Sequence, residues 1–425
     1  MTQTKSVAAG PLSIAVIGAG IVGAANALAL AADGHRVTVF DPDEPGTGTS
    51  FGHAGGIVTG AVTPTATPGV LRSIPSYILD RNSSAVLRPA YALRALPWLM
   101  RFIAAGRPAR VAQIARALQP LVANALLAHQ ALAGISGAAG QIRRVGWLKV
   151  YASDAGFANS ALERELMTRH GINHRVLDAD EIAALEPNLN RAAFARGVFQ
   201  PDSGFVNFPM ALAQAYFNAA LERQAQHLRE NVRELRPLDT GRVMVRTDSA
   251  SRDFDAVVVA AGAWSKQFAN LVGDKVSLDT ERGYHISFKV ATDGLLGRPV
   301  CVPERQFVLS PMHDGVTLVS GDELAGVEAP PDYRRIRALA PFARQVLPAL
   351  EGQPIQREWM GYRPSTPDSL PVIGRSPRCP SVFYAFGHGH LGFTLAAITA
   401  QLIADLVAGR QDRFDIQPYR IERFC

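Results

Sequence analysis

The segment Ile14-Ala-Val-Ile-Gly18-Ala-Gly20-Ile-Val-Gly23 constrains this chain more than any other. Three glycines at G-x-G-x-x-G spacing close a short apolar run. An apolar helical pattern follows, and a second apolar run, Arg36-Val-Thr-Val-Phe40, ends in Asp41. Strand, glycine turn, helix, strand and acid in that order specify a βαβ dinucleotide-binding unit. Gly18 permits the tight turn, Gly20 lets the backbone approach a pyrophosphate, and Gly23 lets the helix pack closely on the strand. The helix N-terminus offers N–H groups and a positive dipole end to the phosphates. Asp41, at the tip of the second strand, suits the ribose hydroxyls. A glycine turn that binds nothing is the much weaker reading. The motif alone leaves NAD and FAD both open.

A chain of 425 residues is long enough for two or three domains with ample core. Its 43 basic and 37 acidic residues leave a mild net charge of +6. No basic block or aromatic–basic interleaving signals nucleic acid; weak attraction to anionic surfaces stays open, with solvated charge the favoured reading, and peripheral contact with an inner membrane through a surface patch is left open although no segment demands it. Cys301, Cys379 and Cys425 are odd in number and far apart. They form no metal spacing and no disulfide framework, which implies no metal and a reducing cytoplasm. Ile14 to Ala32 carries no charge and could pass for a membrane span, but its glycines and Asn26 favour a βα unit. Leu395 to Val407 is apolar too, yet short and interrupted by Asp405, so no transmembrane helix is expected. Met1 to Leu12 reads as a loose leader.

Asp43 to Gly56 is rich in turn formers and too long for a simple connector, which marks it as functional. Arg88 to Ala133 reads as helix broken by Pro97, Pro108 and Pro120. Gly146 to Ala152 alternates like a strand, Pro209 to Glu230 reads as one long helix, and Asn231 to Leu235 as a strand. Asp255 to Ala260 is a buried, parallel-type strand running into Gly262 and Trp264. Val276 to Leu324 shows short strands and turns, consistent with a mainly antiparallel layer. Tyr333 to Leu347 reads as helix, Val382 to Phe386 as strand, and Gly392 to Gly409 as helix. The nucleotide strands are therefore split along the chain, unlike the contiguous unit of a simple NAD dehydrogenase.

Two further segments carry chemistry. In Gly387-His-Gly389-His390-Leu-Gly392-Phe-Thr394 a second helix start leaves a glycine loop, and its N–H groups could stabilise negative charge on a reduced isoalloxazine. The plainer reading is a structural helix with a glycine-rich entry. In Tyr362-Arg363-Pro-Ser-Thr-Pro-Asp368 the prolines fix the backbone around Arg363. A fixed guanidinium suits bidentate capture of a carboxylate. A surface pair between Arg363 and Asp368 is an equal alternative.

With these motifs together, the chain resembles the FAD-dependent D-amino-acid oxidase superfamily, most closely its bacterial D-amino-acid dehydrogenase branch. The resemblance is carried by the Gly18–Gly23 fingerprint, Thr49-Ser-Phe-Gly-His-Ala-Gly55, Val259-Ala-Ala-Gly262-Ala-Trp264, Tyr362 to Gly374 and Gly387 to Thr394. It implies an α/β protein. A glutathione-reductase-type FAD domain would be built from residues 12–90, 155–272 and 360–425, and an α+β substrate domain from 91–154 and 273–359, after a leader at 1–11. It implies that Gly18, Gly20, Ile21, Val22 and Gly23 hold the pyrophosphate and Asp41 the adenosine ribose. Thr49, Ser50, Gly55, Gly56 and Ile57 would wrap the phosphates and flavin ring, and Val232 would meet the adenine. Ala261, Gly262 and Trp264 would complete the cradle. Gly389, His390, Leu391, Gly392, Phe393 and Thr394 would bind the pyrimidine edge, and Arg363 the substrate carboxylate. His53 departs from the asparagine often found in that branch. No cysteine lies in an attachment motif, so FAD is expected to be non-covalent.

The implied reaction is oxidative deamination: hydride transfer from the substrate Cα to flavin N5, giving a 2-oxo acid and ammonia, or a cyclic imine from proline-type substrates. His53 and His390 are candidates to tune the amine proton. Tyr284 could hydrogen-bond the substrate or be a core tyrosine. The scaffold equally suits a secondary amine such as sarcosine, glycine or an N-carboxyalkyl amino acid. A third reading is a flavin-bearing electron-transfer subunit without amine turnover. The electron acceptor, quinone or oxygen, is not written in any motif.

Overall fold

A computed structural model describes residues 10–72, 85–411 and 413–424. Most of the expected leader, and Cys425, lie outside them. A six-stranded sheet runs in the order Gln226–Leu228, Arg36–Phe40, Ser13–Ile17, Ala256–Val259, Val382–Phe386, Val372–Arg375. All neighbours are parallel except the last pair. Ile14 to Ile17 are apolar and buried, as a central parallel strand requires. The helix Ile21–Ala32 follows at once and is apolar on nearly every side, because it is enclosed by the sheet and by the helices Pro209–Glu222 and Gly392–Val407. Its many alanines permit that close approach. The other face of the sheet packs on an antiparallel three-stranded sheet, Val232–Pro237, Val243–Thr247 and Ser251–Phe254.

A second, mixed sheet roofs the site. It includes Asp279–Phe288, hydrogen-bonded to Ile355–Ser365 on one side and Gly315–Leu324 on the other, and continues through Phe307–Met312 and Val300–Val302. Its far face builds a separate core around Ile286, Phe288, Leu309 and Leu318. The chain thus forms the expected α/β sheet beside a mainly antiparallel one. Pairing nevertheless crosses the boundaries drawn from sequence. Ala85–Leu87, Arg175–Asp178 and Arg196–Gln200, assigned above to the nucleotide domain, join the second sheet. The helix Pro108–Ile135, assigned to the substrate domain, packs on the nucleotide helices. Helices and strands are allotted by the apolar face they can cover, and contiguity does not decide it.

Several local expectations are corrected. Pro97 and Pro120 sit inside the helices Ala92–Ala105 and Pro108–Ile135, and only Pro108 marks a break, at a helix start where its missing N–H is harmless. The helix from Pro209 stops at Glu222, where Gln224 takes a left-handed φ of 66° and releases Gln226–Leu228 to the sheet edge. Tyr333 to Leu347 holds two short helices, Arg334–Arg337 and Ala340–Val346. Pro108–Ile135 and Gly389–Val407 are long and apolar enough to cross a membrane, but 50% and 67% of their most apolar stretches are buried inside the protein.

Candidate active site

The glycine turn closes one end of a cleft of about 860 Å3. Gly18 has φ +104°, and a Cβ there would lie 2.5 Å from the Ala260 carbonyl oxygen. A Cβ on Gly23 would lie 1.9 Å from the Gly18 carbonyl oxygen. Neither contact tolerates a methyl group, so the turn can approach both the neighbouring strand and the helix only as glycine. The Asp41 carboxylate accepts from the Ala19 N–H at 2.7 Å and the Asp43 N–H at 3.0 Å. Burial raises its pKa against these two bonds. Ser50 Oγ accepts from the Ile21 N–H at 2.9 Å, tying the turn-rich loop to the helix start. Val232, Ala261, Gly262 and Trp264 line the same end.

At the other end two loops lock together. Thr49 Oγ1 donates to the Tyr362 carbonyl at 2.9 Å and accepts from the Tyr362 N–H at 3.2 Å. Thr394 Oγ1 donates to the Gly56 carbonyl and accepts from the Val58 N–H, both at 3.2 Å. The His53 ring stacks on Phe393 with centroids 4.9 Å apart, and its Nδ1 accepts from the Gly55 N–H at 3.0 Å. Behind Phe393 lies buried His129, bonded to the Phe393 carbonyl at 2.7 Å and the Tyr216 hydroxyl at 3.0 Å. Burial, helped by the Arg363 charge, pushes His53 down to about 3, and burial pushes His129 down to about 4. Both are neutral imidazoles at pH 7. Gly389 to Thr394 line the cleft as a short turn entering the helix Gly392–Val407. Gly23, Gly55 and Ile57 are not on the cleft wall; they shape the backbone behind it.

Arg363 lies on the strand Ile355–Ser365, against the neighbouring strand at Gly283, where a Cβ would come 2.4 Å from the guanidinium. Its Nη1 donates to the Gly321 carbonyl at 2.5 Å and to Asp322 at 2.8 Å. His390 Nε2 sits 3.3 Å from Asp322 and 3.5 Å from Glu281, and Glu281 accepts from the Ser365 hydroxyl at 2.6 Å. Burial alone would raise the Glu281 carboxyl, but His390, Ser365 and Arg363 together hold it below its ordinary value. Glu281, Asp322 and His390 bring donor atoms within 4.8 Å of one another. The Arg363 cation paired to Asp322 opposes a metal there, and the group reads as a hydrogen-bonded relay. Asp368, the alternative partner, is held instead by Arg423 at 3.0 Å.

Tyr284 borders the cleft, but the structure does not join its hydroxyl to this relay. Its hydroxyl donates to Glu323 and accepts from the Asp332 N–H at 3.3 Å, and its ring packs in the core of the second sheet. Its neighbour His285 stacks on Trp359, with centroids 5.1 Å apart, and burial pushes it down to about 4. Asp322, Glu281 and Trp359 escaped the sequence reading. Asp322 and Glu281 lie outside any motif and Trp359 stands four residues before Arg363 with no role read for it; strand register brings them in, since Glu281 pairs with Arg363 and His285 with Trp359.

A fold with a βαβ nucleotide turn, a second sheet over a long cleft, and a half-buried arginine on the cleft wall at the far end defines a dinucleotide-dependent oxidoreductase. The model of the DAO family, FAD dependent oxidoreductases, matches residues 13–406. The chain is 35% identical to "D-amino-acid oxidase" of Bradyrhizobium diazoefficiens, covering 97% of this chain and 98% of that protein. It is 33% identical to "D-amino acid dehydrogenase 2" of Ralstonia nicotianae, covering 97% of this chain and 100% of that protein. Among solved structures it is similar to glycine oxidase from Geobacillus kaustophilus, with a TM-score of 0.74, 24% identity, and 97% and 98% of the two chains covered. L-proline dehydrogenase from P. horikoshii gives a TM-score of 0.75, 20% identity, and 97% and 98% coverage. The chain belongs to the DAO family. It is an FAD-dependent oxidoreductase of amino acids, and FAD is its cofactor.

Proposed function

We propose that this enzyme oxidises D-amino acids, with Arg363 holding the α-carboxylate. The observation that carries this reading is the pairing of Arg363 with Asp322 on the cleft wall. A cation and an anion side by side match the two charges of an amino-acid zwitterion. The preference for D-substrates is supported by the names of the relatives at 35% and 33% identity.

The residues present fit FAD. The glycine turn admits no Cβ, the helix start at Ile21 lies beside it, and Asp41 keeps lone pairs for a ribose. Val232 fits the adenine end, and Thr49 to Gly56 with Gly389 to Thr394 the ring end. Cys301 lines the cleft, but burial pushes its thiol up to about 11, which makes it a poor nucleophile and supports a non-covalent cofactor. When bound, FAD supplies the two-electron oxidation of the Cα–N bond.

The chain's own groups do the rest. Arg363 orients the carboxylate bidentately. Asp322 receives the ammonium and takes its proton, since the amine must be neutral before oxidation. His390 and Glu281 extend the path for that proton. His53, neutral and bonded at Nδ1, positions the Gly55 loop. The imine released hydrolyses to a 2-oxo acid and ammonia, or stays cyclic for proline-type substrates. Electrons pass on to a quinone or to oxygen.

An anaerobic screen of flavin bleaching tests this. Bleaching by D-amino acids, and not by their L-forms, supports the reading. Bleaching only by sarcosine, glycine or N-carboxyalkyl amino acids replaces it with secondary-amine oxidation. A flavin that no amine reduces replaces it with an electron-transfer role.

A further inference from the structure

We infer that the outward face of the helix Ala92–Ala105 docks this protein on an anionic lipid bilayer. Leu93, Leu96, Met100 and Ile103 recur at i, i+3, i+7 and i+10, and they are 86%, 51%, 60% and 44% exposed. They form one stripe opposite the buried Ala95 and Trp98. Single exposed apolar residues are ordinary, but four large ones on one helical face are not. The helix is firmly seated, because the Trp98 indole donates to the Ser365 carbonyl at 3.0 Å. The stripe is therefore held outward by a well-packed inner face.

Charge selects the occupant. Arg94, Arg107 and Arg110 are exposed beside the stripe or just past its end. Arg101 is excluded from this count, being tied to the Phe424 carbonyl at 3.2 Å. Between Asp80 and Asp154 the sequence carries nine arginines, one lysine and no acid. Arg88, Arg144 and Lys149 are ion-paired with Glu323, Asp202 and Glu163, whereas Arg94, Arg107 and Arg110 have no acid partner among the described residues. An amphipathic surface of leucines flanked by arginines matches the boundary of anionic headgroups and acyl chains. A protein partner fits less well. One helix of 14 residues offers a strip roughly 21 Å by 10 Å, far below the roughly 800 Å2 per partner of a stable interface. The helix is also too short to span a bilayer, so the contact is peripheral. Since Trp98 hangs the helix on Ser365, two residues from Arg363, docking holds the cleft close to the lipid surface.

The test is co-sedimentation of the FAD-loaded full chain with vesicles. The expected result is binding to phosphatidylcholine vesicles containing phosphatidylglycerol, weak binding to phosphatidylcholine alone, and release by high salt. A variant carrying Leu93→Gln, Leu96→Gln, Met100→Gln and Ile103→Gln loses about tenfold or more in partitioning and keeps its flavin spectrum and turnover. Arg94→Glu with Arg107→Glu, which leaves the stripe intact, weakens binding to anionic vesicles alone. Wild-type protein that stays in the supernatant with every vesicle overturns the inference. So does binding at the wild-type level by both variants, or a wild-type dimer that becomes monomeric in the stripe variant without any vesicle binding.

Discussion

Replacing Arg363 by leucine removes the guanidinium that, among the described residues, the cleft offers beside Asp322, and the loss can be worked out. A bidentate pair with a substrate carboxylate consists of two charge-assisted bonds of about 1.5–3 kcal/mol each, so about 3–6 kcal/mol is forfeited. At about 1.4 kcal/mol per tenfold, kcat/KM for the amino acid falls by about 10²–10⁴. The structure pushes the result towards the larger figure. Asp322 loses its partner at 2.8 Å and then opposes the incoming carboxylate with like charge. The helix starts and glycine turn are untouched, so FAD content stays at the wild-type level. The assay is anaerobic stopped-flow flavin reduction with a D-amino acid and with the primary amine that lacks its carboxylate. The amine has nothing for Arg363 to hold, so its rate constant changes by less than about threefold. A loss under about tenfold for the amino acid, or an equal loss for the amine, would refute the assignment of Arg363.

Gly23→Ala puts a methyl 1.9 Å from the Gly18 carbonyl oxygen, so the variant purifies with little or no flavin absorbance; full loading would show that the turn can yield. Tyr284→Phe removes a hydroxyl held by Glu323 in the second core, so the melting temperature falls by an amount worth about 1–2 kcal/mol while kcat/KM stays within about threefold. A large loss of turnover at unchanged stability would return Tyr284 to the substrate. Burial holds His129, His285 and His388 at about 4, 4 and 3, below their ordinary 6.5. The unfolded chain therefore binds more protons below pH 6.5, and stability falls as pH drops from there towards 4. By pH 5.5 each histidine takes away roughly 1.4 kcal/mol. Thermal melts across that range should show the drop, and His129→Gln should make it shallower; a level profile contradicts the buried neutral state.

Much of the nucleotide half was legible because its constraints are local. Gly18, Gly23 and Asp41 are read from spacing, and the strands at Ser13–Ile17, Ala256–Val259 and Val382–Phe386 from unbroken apolar runs. What escaped was set by register between distant strands. Nothing near Asp322 in the sequence says that it meets Arg363, because the contact depends on how Gly315–Leu324 and Ile355–Ser365 flank Asp279–Phe288. Tyr284 and His285 are adjacent in sequence, yet alternation sends one to the second core and the other to Trp359, and a bulge after Arg282 obscures which is which. The prolines misled for a related reason. Pro97 and Pro120 are tolerated because packing on the core compensates for one missing backbone bond each, a tertiary effect that no local rule contains.

The interleaved order of the six-stranded sheet also acts in time. The Ser13 backbone N–H bonds to Asp255, 242 residues further on, and the ring end of the cleft waits for Gly389 to Thr394. At ribosomal rates of about 5–20 residues per second, the two ends of the cofactor cradle emerge roughly 20–80 s apart. A chain released early owns the phosphate turn and the loop from Thr49 to Gly56 but lacks the Gly389 to Thr394 turn that closes the ring end. The complete cradle therefore exists only in a chain translated as far as Gly389 to Thr394, and cofactor retention comes late in synthesis.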